Sequence, residues 1–407
     1  MKRLFNLIFG VLFLVACENE SIKTNLTSDV DRSNKSVTRS YEEALSIASS
    51  SLSSFFPSTR GDVNRAIDES NSLVITKDKK TRSSASLLDT LFYVFNFTGN
   101  NGFAVVSALN STEGLIAITE EGDYQSSLKE NPAFSFIMEL AEEYLSRGNF
   151  IPVIEPIDTT VIQTVGPRIS VAWGQGYPMG VLFNNGTSGC ANTAIAQIMT
   201  YYMYPSSIVY SENGTNENVS LQWSEIKKHK RTYNNSCYEC TANSSAHTAI
   251  SKMVRQIGLW NNSDDTTNIN VTTTYEWNLF NALQNLGYNH TSFVHYSLGY
   301  SVTQLNNNRL LLMGAYALPN ENDGHIWVVD GYKLLRILYI DNNELEPTYF
   351  TETKTYNHVN WGWSGIANGY FYDGIFSITN ALEYDYSLNI PASNNFHYNI
   401  RYSAVYH

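Results

Sequence analysis

A cysteine at the start of a helix is the residue of this chain best suited to nucleophilic chemistry. Cys190 follows a Ser-Gly pair, and the apolar residues between Ala194 and Tyr202 recur on one face of a helix that Pro205 ends. Unpaired N–H groups and the positive end of the helix dipole favour a thiolate there, so we expect a lowered thiol pKa. The segment also fits a small buried cysteine that only packs a helix start.

A thiolate that attacks acyl groups needs a proton carrier, and His325 is the favoured candidate. It lies far downstream of Cys190, between Gly324 and a run of apolar residues typical of a buried strand. His358 is the rival base. Alternation along its own strand puts His358 and Asn360 on the same face. If Asn360 supports the imidazole of His325, His358 is then expected to be a neighbouring residue in the wall of the site and not a second base.

Three further residues could support such a pair. Asn360 could accept the imidazole N–H and fix the orientation of the ring, and Trp361 could cover that hydrogen bond and exclude water. Upstream, Gln175 lies between two glycines. Its NH₂ group and the backbone N–H of Cys190 would form an oxyanion hole. Taken alone, a Gln in a Gly-rich segment is usually only a loop residue.

The joint order of these segments resembles the papain-like cysteine peptidases, and more specifically the streptopain family of secreted bacterial cysteine peptidases. The matching catalytic segments are Trp173–Gly176, Ser188–Tyr204 with Pro205, Gly324–Gly331 and His358–Gly365. In addition, Leu91–Ala108 is similar to the propeptide strands of that family.

The resemblance assigns a role to each matching residue. It implies that Cys190 is the nucleophile and His325 the general base and acid, with Gln175 as the oxyanion donor and Asn360 with Trp361 as imidazole support. The sequence departs from the family pattern at two other positions. The family usually has another residue at Asn192 and a Gly at Ser364. Neither is catalytic, so these departures put loop shape and specificity in question more than activity.

An α+β unit precedes the segments that carry chemistry. Ser40 and Glu43 have the spacing of a capping box, which predicts a helix over about 41–55. Three β-rich runs separated by turn residues predict an antiparallel meander, and Asn131-Pro132 opens a helix that Gly148 ends. The predicted runs are 91–97, 102–108 and 114–119.

These observations predict an α+β fold, in which a papain-like two-lobed catalytic domain follows a small α+β prodomain. We expect a prodomain over 41–155 and the peptidase domain over 160–407. The resemblance implies that the prodomain is an inhibitor and that the enzyme is a zymogen. We expect the activating cut in the connector 151–167, nearer 155–165.

The N-terminus has the pattern of a secretory signal. Lys2 and Arg3 precede an apolar run from Leu4 to Ala16 that is too short to span a bilayer as a mature helix. Small residues just before Cys17 resemble a bacterial lipobox, in which the Cys is lipidated and becomes the new N-terminus. An ordinary signal peptide beside a Cys is the alternative. We expect a signal peptide over 1–16, a lipid on Cys17 and a polar tether over 17–40.

Composition narrows the function classes. Apolar residues make up 43% and charged residues 16%, so wholesale disorder is not expected, and the net charge of −12 argues against nucleic acid as the main partner.

Cys237 and Cys240 form one C-x-x-C pair that predicts a disulfide, with free thiols as the next interpretation. Zinc needs a second ligand pair, and His229 and His247 lie isolated in the sequence. No metal or cofactor is expected.

The sequence therefore predicts a secreted, lipid-anchored cysteine endopeptidase made as a zymogen. Its expected partners are protein or peptide substrates, its own prodomain as intramolecular inhibitor, and a membrane that it contacts only through the lipid. Two alternatives remain open. One is a catalytically inactive surface binding lipoprotein on the same fold, and the other is a thioester acyl transferase.

Overall fold

The computed structural model describes residues 38–57, 65–76, 90–110, 112–146, 156–233, 236–269, 271–297, 299–318, 324–341, 348–377 and 397–407. Within these ranges, eight α-helices and three short 3₁₀ turns accompany an extensive β-structure. The helices are α1 (Tyr41–Phe55), α2 (Tyr124–Glu130), α3 (Pro132–Ser146), α4 (Cys190–Tyr202), α5 (Trp223–Ile226), α6 (Ser244–Trp260), α7 (Leu279–Asn285) and α8 (Tyr300–Asn306).

Sixteen strands are present in the same described ranges. They are β1 (Ile67–Thr76), β2 (Thr90–Phe97), β3 (Phe103–Ser107), β4 (Leu115–Thr119), β5 (Pro156–Val165), β6 (Ser207–Glu212), β7 (Thr215–Ser220), β8 (His229–Tyr233), β9 (Ser236–Cys240), β10 (Asn289–His290), β11 (Val294–His295), β12 (Leu310–Leu318), β13 (Gly324–Asp341), β14 (Thr348–Asn360), β15 (Gly369–Tyr372) and β16 (His397–Tyr406).

The described residues before 147 are called the N-terminal unit below; they hold α1 to α3 and β1 to β4. A single 12-stranded sheet runs through this unit and through the part of the chain that carries the catalytic candidates. Its order is β1-β2-β3-β4-β15-β14-β13-β12-β16-β10, with β5 paired to β13 and β11 paired to β16. The junction is the antiparallel pairing of β4 with β15. The N-terminal unit therefore docks by continuing the sheet, which combines backbone hydrogen bonds with a shared apolar core.

The predicted elements of the N-terminal unit are confirmed. Helix α1 begins after Ser40, whose side chain accepts from the backbone of Glu43 while the Glu43 carboxylate accepts from the backbone N–H of Ser40. Strands β2, β3 and β4 form the predicted meander. Helix α3 starts at Pro132 as predicted, whereas Gly148, its expected end, lies outside the described residues. Strand β1 and helix α2 lack a clear periodic pattern, and the prediction missed them.

The connector contains a strand that the sequence analysis did not predict. Residues Pro156–Val165 form β5, which pairs with the second half of β13 and is largely exposed. The first residues of the expected connector, 151–155, lie outside the described ones. Because a peptidase binds its substrate in extended form, a cut inside β5 requires that this edge strand first leave β13.

Helices α4 and α6 pack together and form the centre of the layer that faces the sheet. Nearly all residues of α4 after its first are buried, which is why its apolar pattern extends around most of the helix. No helix among the described residues is long and apolar enough to cross a membrane.

Candidate active site

A cleft of about 1290 Å³ contains three of the five residues that the sequence analysis proposed for catalysis. Cys190, His325 and Gln175 all line it, although they come from a helix, a strand and a loop. Its floor and walls are completed by the start of β13, the turn after β14 and a segment before α7. The lining residues that sequence analysis did not single out include Thr272, Thr273, Tyr275, Phe280, Phe293, Ala315 and Ile366.

Cys190 is the first residue of α4, and Gly189 is the N-cap with a φ of 78°. A side chain at Gly189 would also press on the carbonyl of Thr272, so glycine is needed there for both conformation and space. Burial raises the pKa of the Cys190 thiol, while backbone hydrogen bonds from Ile326, Ala191 and Cys190 itself act in the opposite direction. The predicted lowering of this pKa is therefore wrong for the thiol in this structure.

His325 is brought to the cysteine by the register of the sheet. It is the second residue of β13, faces Ala315 on β12 and is half-buried. The next residue, Ile326, contributes a backbone hydrogen bond to the Cys190 sulfur. The start of β13 therefore lies directly against the start of α4, and it places the His325 backbone next to the thiol.

Asn360 lies on the other face of the sheet from His325. It is directly opposite Val328 on β13, and Val328 is three residues from His325, so the two side chains point to opposite faces. The amide of Asn360 donates to the carbonyl of Val171 at 2.9 Å, and its oxygen accepts from Gly362 at 3.3 Å. The structure therefore does not support Asn360 as the group that orients the imidazole.

Trp361 lies on the same side as His325. Its ring packs on Trp327, which is two residues from His325 on β13, with ring centroids 5.2 Å apart. The indole N–H donates to the carbonyl of Ala367 at 2.8 Å. Both indoles are fully buried, so they form an apolar wall next to the imidazole. Trp363, two residues further along the chain, lines the cleft itself.

Gln175 lies in the cleft as predicted for an oxyanion donor. The Thr187 hydroxyl donates a long hydrogen bond of 3.4 Å to its Oε1, and the Ser188 N–H donates to its backbone carbonyl at 2.9 Å. These contacts tie the Gln175 loop to the residues just before Cys190. The oxygen of the amide is thus engaged, which favours its NH₂ group as the end available to a ligand.

His358, the rival base, belongs to a separate buried cluster. Its Nδ1 lies 2.5 Å from Asp330 and its Nε2 lies 3.5 Å from Glu120 of the N-terminal unit. Burial lowers the pKa of His358, but the negative charges of Asp330 and Glu120 outweigh it and raise that pKa to about 10. His358 is on the same face as Asn360, as the alternation predicts, and it lines a second, smaller cavity.

The N-terminal unit reaches the catalytic cleft through the turn between α2 and α3. Glu130 and Pro132 line the cleft together with Cys190. Between them, the fully buried Asn131 donates from its side-chain amide to the carbonyl of Ile366 at 2.8 Å. This turn, residues 130–132, therefore occupies one side of the cavity that holds the thiol.

Polar contacts hold the same unit elsewhere along the interface. Glu121 pairs with Arg231 of β8, and Lys333 of β13 donates to the carbonyl of Phe55 at the end of α1 at 2.7 Å. Tyr356 of β14 donates to the carbonyl of Leu115 at 2.9 Å.

The two departures from the family pattern have clear structural settings. Asn192 is fully buried and bridges the Ser188 carbonyl at 2.8 Å and the Ser263 hydroxyl at 3.0 Å, and it accepts from Asn261 at 3.1 Å. Ser364 has a φ of 57°, a left-handed conformation in which Gly is the usual residue.

Two histidines that look isolated in the sequence converge in space. His229 and His247 lie beside Cys240, and the donor atoms of the three residues are all within 4.8 Å of one another. Cys240 is disulfide-bonded, and the side chain of Cys237, its expected partner, lies outside the described ones. The isolation argument against a metal was therefore wrong, because strand pairing and the start of α6 unite residues distant in sequence. Residues 1–37, which include Cys17, the expected signal peptide and most of the expected tether, also lie outside the described residues. The last residues of the expected tether differ from that prediction, because Arg39 is buried and donates to the carbonyls of Ser107 at 3.0 Å and Thr112 at 2.8 Å.

Comparison with known proteins agrees with this geometry. Residues 173–371 match the model of the Peptidase C10 family, and residues 34–145 match that of the Spi protease inhibitor. Streptopain of Streptococcus pyogenes is 21% identical over 328 residues, which are 72% of this chain and 76% of the relative.

A solved structure shows the same fold. A fragment of prointerpain A from Prevotella intermedia aligns with a TM-score of 0.52 and 17% identity, over 82% of this chain and 98% of that one. The residues that match the Peptidase C10 model include all five proposed catalytic residues, Gln175, Cys190, His325, Asn360 and Trp361. The residues that match the Spi protease inhibitor model include the turn 130–132 that reaches the cleft. The chain therefore belongs to the Peptidase C10 family of cysteine endopeptidases, with an N-terminal domain of the Spi protease inhibitor type.

Proposed function

We propose that the chain is a zymogen in which Cys190 is the nucleophile, His325 is the general base and acid, and Gln175 is an oxyanion donor. The observation that carries this proposal is the meeting of three elements in one cleft. The α4 N-terminus supplies the thiol, the start of β13 supplies the imidazole, and the loop before α4 supplies the amide. Trp361 packs on Trp327, and the two indoles exclude water from the side of the cleft that holds the imidazole.

The residues divide the reaction into two acyl-transfer steps. In the first, the Cys190 thiolate attacks the carbonyl carbon of a peptide bond, and the tetrahedral oxyanion receives hydrogen bonds from Gln175 and the Cys190 N–H. The intermediate collapses to a thioester as protonated His325 gives its proton to the leaving amine. In the second step, neutral His325 takes a proton from water, and the resulting attack on the thioester releases the carboxylic acid and the thiol.

The inhibitory part is proposed to be 41–155, with the catalytic part at 160–407 and the activating cut in 151–167. The turn 130–132 in the cleft supports this latency, and so does the raised thiol pKa, because a neutral thiol is a poor nucleophile. We also propose that residues 1–16 direct secretion and that Cys17 carries a lipid. This would leave the enzyme outside the cytoplasm, tethered by residues 17–37, since Thr38 already pairs with Leu109 of the folded part.

Labelling with a papain-type epoxide tests the proposed nucleophile and the latency together. A chain starting at residue 18 is treated before and after limited proteolysis of the connector, and the adduct is mapped by mass spectrometry. We expect one adduct, on Cys190, that forms rapidly only after the cut. Cys190→Ala should abolish labelling, and His325→Ala should slow it at neutral pH because the thiolate loses its imidazolium partner. A folded, cut chain without an adduct on Cys190 would exclude this nucleophile.

Product analysis separates the proposed hydrolysis from the two alternatives. A hydrolase releases free carboxylic acid from a peptide substrate even when an amine acceptor is present, whereas an acyl transferase gives mainly the amide of the added amine. An inactive binding protein gives neither product. The lipid on Cys17 is tested by the mass of the mature N-terminal peptide from the source cells, with Cys17→Ser as the control.

A further inference from the structure

Three side chains of the kind that bind metal ions lie close together outside the lining of the catalytic cleft. His229 lies on β8, Cys240 ends β9, and His247 is in the first turn of α6. The three atoms His229 Nδ1, His247 Nε2 and Cys240 Sγ form a triangle in which every side is 3.4 Å. The mechanism proposed above uses none of these residues.

The size of this triangle fits one face of a tetrahedral zinc site. Zinc binds nitrogen at about 2.0–2.1 Å and sulfur at about 2.3 Å, so a tetrahedral face has N···N edges of about 3.3 Å and N···S edges of about 3.6 Å. The observed sides of 3.4 Å fall between these values. An ion that caps the triangle can therefore reach all three donors with little movement of the backbone.

A tyrosine orients one of the two imidazoles. The hydroxyl of Tyr177 lies 3.1 Å from Nδ1 of His247, a contact that orients the ring so that Nε2 faces the other two donors. A hydrogen bond to the second ring nitrogen is the usual support of a histidine that binds a metal through the first.

We propose that the reduced form of this chain binds one Zn²⁺ through His229, Cys240 and His247, and that the Cys240 disulfide and the zinc thiolate are alternative states. A thiol or phosphine reductant supplies two electrons, and two protons are taken up as the disulfide becomes two thiols. Zn²⁺ then displaces the proton of the Cys240 thiol. The fourth position is filled by water.

The position of the cluster gives this exchange a consequence for the enzyme. The indole of Trp173 donates to the carbonyl of His229 at 2.8 Å, and Tyr177 contacts His247. These two residues flank the Gly-Gln-Gly segment that carries Gln175. Because a cysteine peptidase requires a reduced thiol, the conditions that activate Cys190 also favour opening of this disulfide. Zinc would then replace the lost cross-link and hold the segment in place.

Metal binding to the proenzyme tests this proposal without reference to activity. The chain from residue 18 carries Cys190→Ala, which removes the catalytic thiol as a competing ligand and prevents self-cleavage. It is reduced with a phosphine, freed of reductant without oxygen, and incubated with Zn²⁺ or Co²⁺. We expect one zinc per reduced chain after gel filtration and none in the disulfide form. Co²⁺ should give tetrahedral d–d bands and a sulfur-to-cobalt charge-transfer band.

Substitutions distinguish this site from adventitious binding, with folding checked by circular dichroism. Cys240→Ser should remove the charge-transfer band, and His247→Ala should abolish binding of one equivalent. Tyr177→Phe should weaken binding about tenfold through loss of the orienting contact. His295→Ala changes an exposed histidine of β11 and should leave binding unchanged. A reduced chain that retains no zinc overturns the proposal. So does equal binding by the disulfide form, or binding that survives both Cys240→Ser and His247→Ala.

Discussion

The buried amide of Asn131 allows the latency of the zymogen to be tested with a matched pair of variants. Asn131 makes two side-chain hydrogen bonds. Its oxygen caps α3 by accepting from Phe134 at 3.0 Å, and its NH₂ group donates across the cleft to the carbonyl of Ile366 at 2.8 Å. Asp123 makes only the first kind of bond, since its carboxylate caps α2 by accepting from Ser126 at 3.0 Å.

The two bonds have different effects on opening of the cleft. Loss of a helix cap costs about 1 kcal/mol of folding free energy, and this cost is shared by the closed and open proenzyme. Loss of the bond to Ile366 acts on the closed form alone and costs about 1–2 kcal/mol, because the carbonyl is left without this donor. Asn131→Ala should therefore raise the open fraction about 5- to 30-fold, whereas Asp123→Ala should not change it.

The assay is the rate at which the papain-type epoxide labels Cys190 in the uncut chain. Intact mass spectrometry counts only adducts on full-length protein, so activation by cleavage does not contribute. We expect about 5- to 30-fold faster labelling of Asn131→Ala and an unchanged rate for Asp123→Ala, although both should lower the melting temperature. Equal rates for wild type and Asn131→Ala would refute the role of this turn. Equal acceleration by both variants would attribute the effect to stability alone.

Three further predictions concern other parts of the molecule. The pKa of His358 is raised from 6.5 to about 10 in the proenzyme, so its stabilising contribution should be complete below pH 6.5 and lost as pH rises towards 10. Melting temperatures of the Cys190→Ala proenzyme should therefore fall across this range, and His358→Gln should flatten that fall. Gln175→Ala should reduce kcat/KM of the cut enzyme about 10²- to 10³-fold with a smaller change in KM. Gly174→Ala places a methyl group 2.3 Å from the Ser364 hydroxyl and should impair activity, and Ser364→Gly should restore it, as a double-mutant cycle would measure.

The catalytic candidates could be predicted from the sequence because the secondary structure around each of them depends on neighbouring residues. A helix that begins at Cys190, a strand that begins beside His325 and a loop with Gln175 between glycines are all set by residues within a few positions. The capping box at Ser40 and the three β-rich runs of the N-terminal unit are equally local. For this reason their predicted bounds agree with the structure to within a few residues.

Which residues meet was decided only by the tertiary structure. Alternation along one strand relates His358 to Asn360, but the register of β14 against β13 determines that both lie away from His325. A one-residue shift of that register would reverse the assignment, and no local pattern fixes it. The same holds for the convergence of His229 with His247, which depends on the pairing of β8 with β9 and on the docking of α6.

The electrostatics also came from the tertiary structure. The helix N-terminus at Cys190 is a local feature and favours a thiolate, but burial of the thiol in the proenzyme outweighs it and raises the pKa. The sequence by itself determined the chemical groups and the elements that carry them. Long-range strand pairing and burial decided which groups share a cleft and how they are charged, because both depend on contacts between residues far apart in the chain.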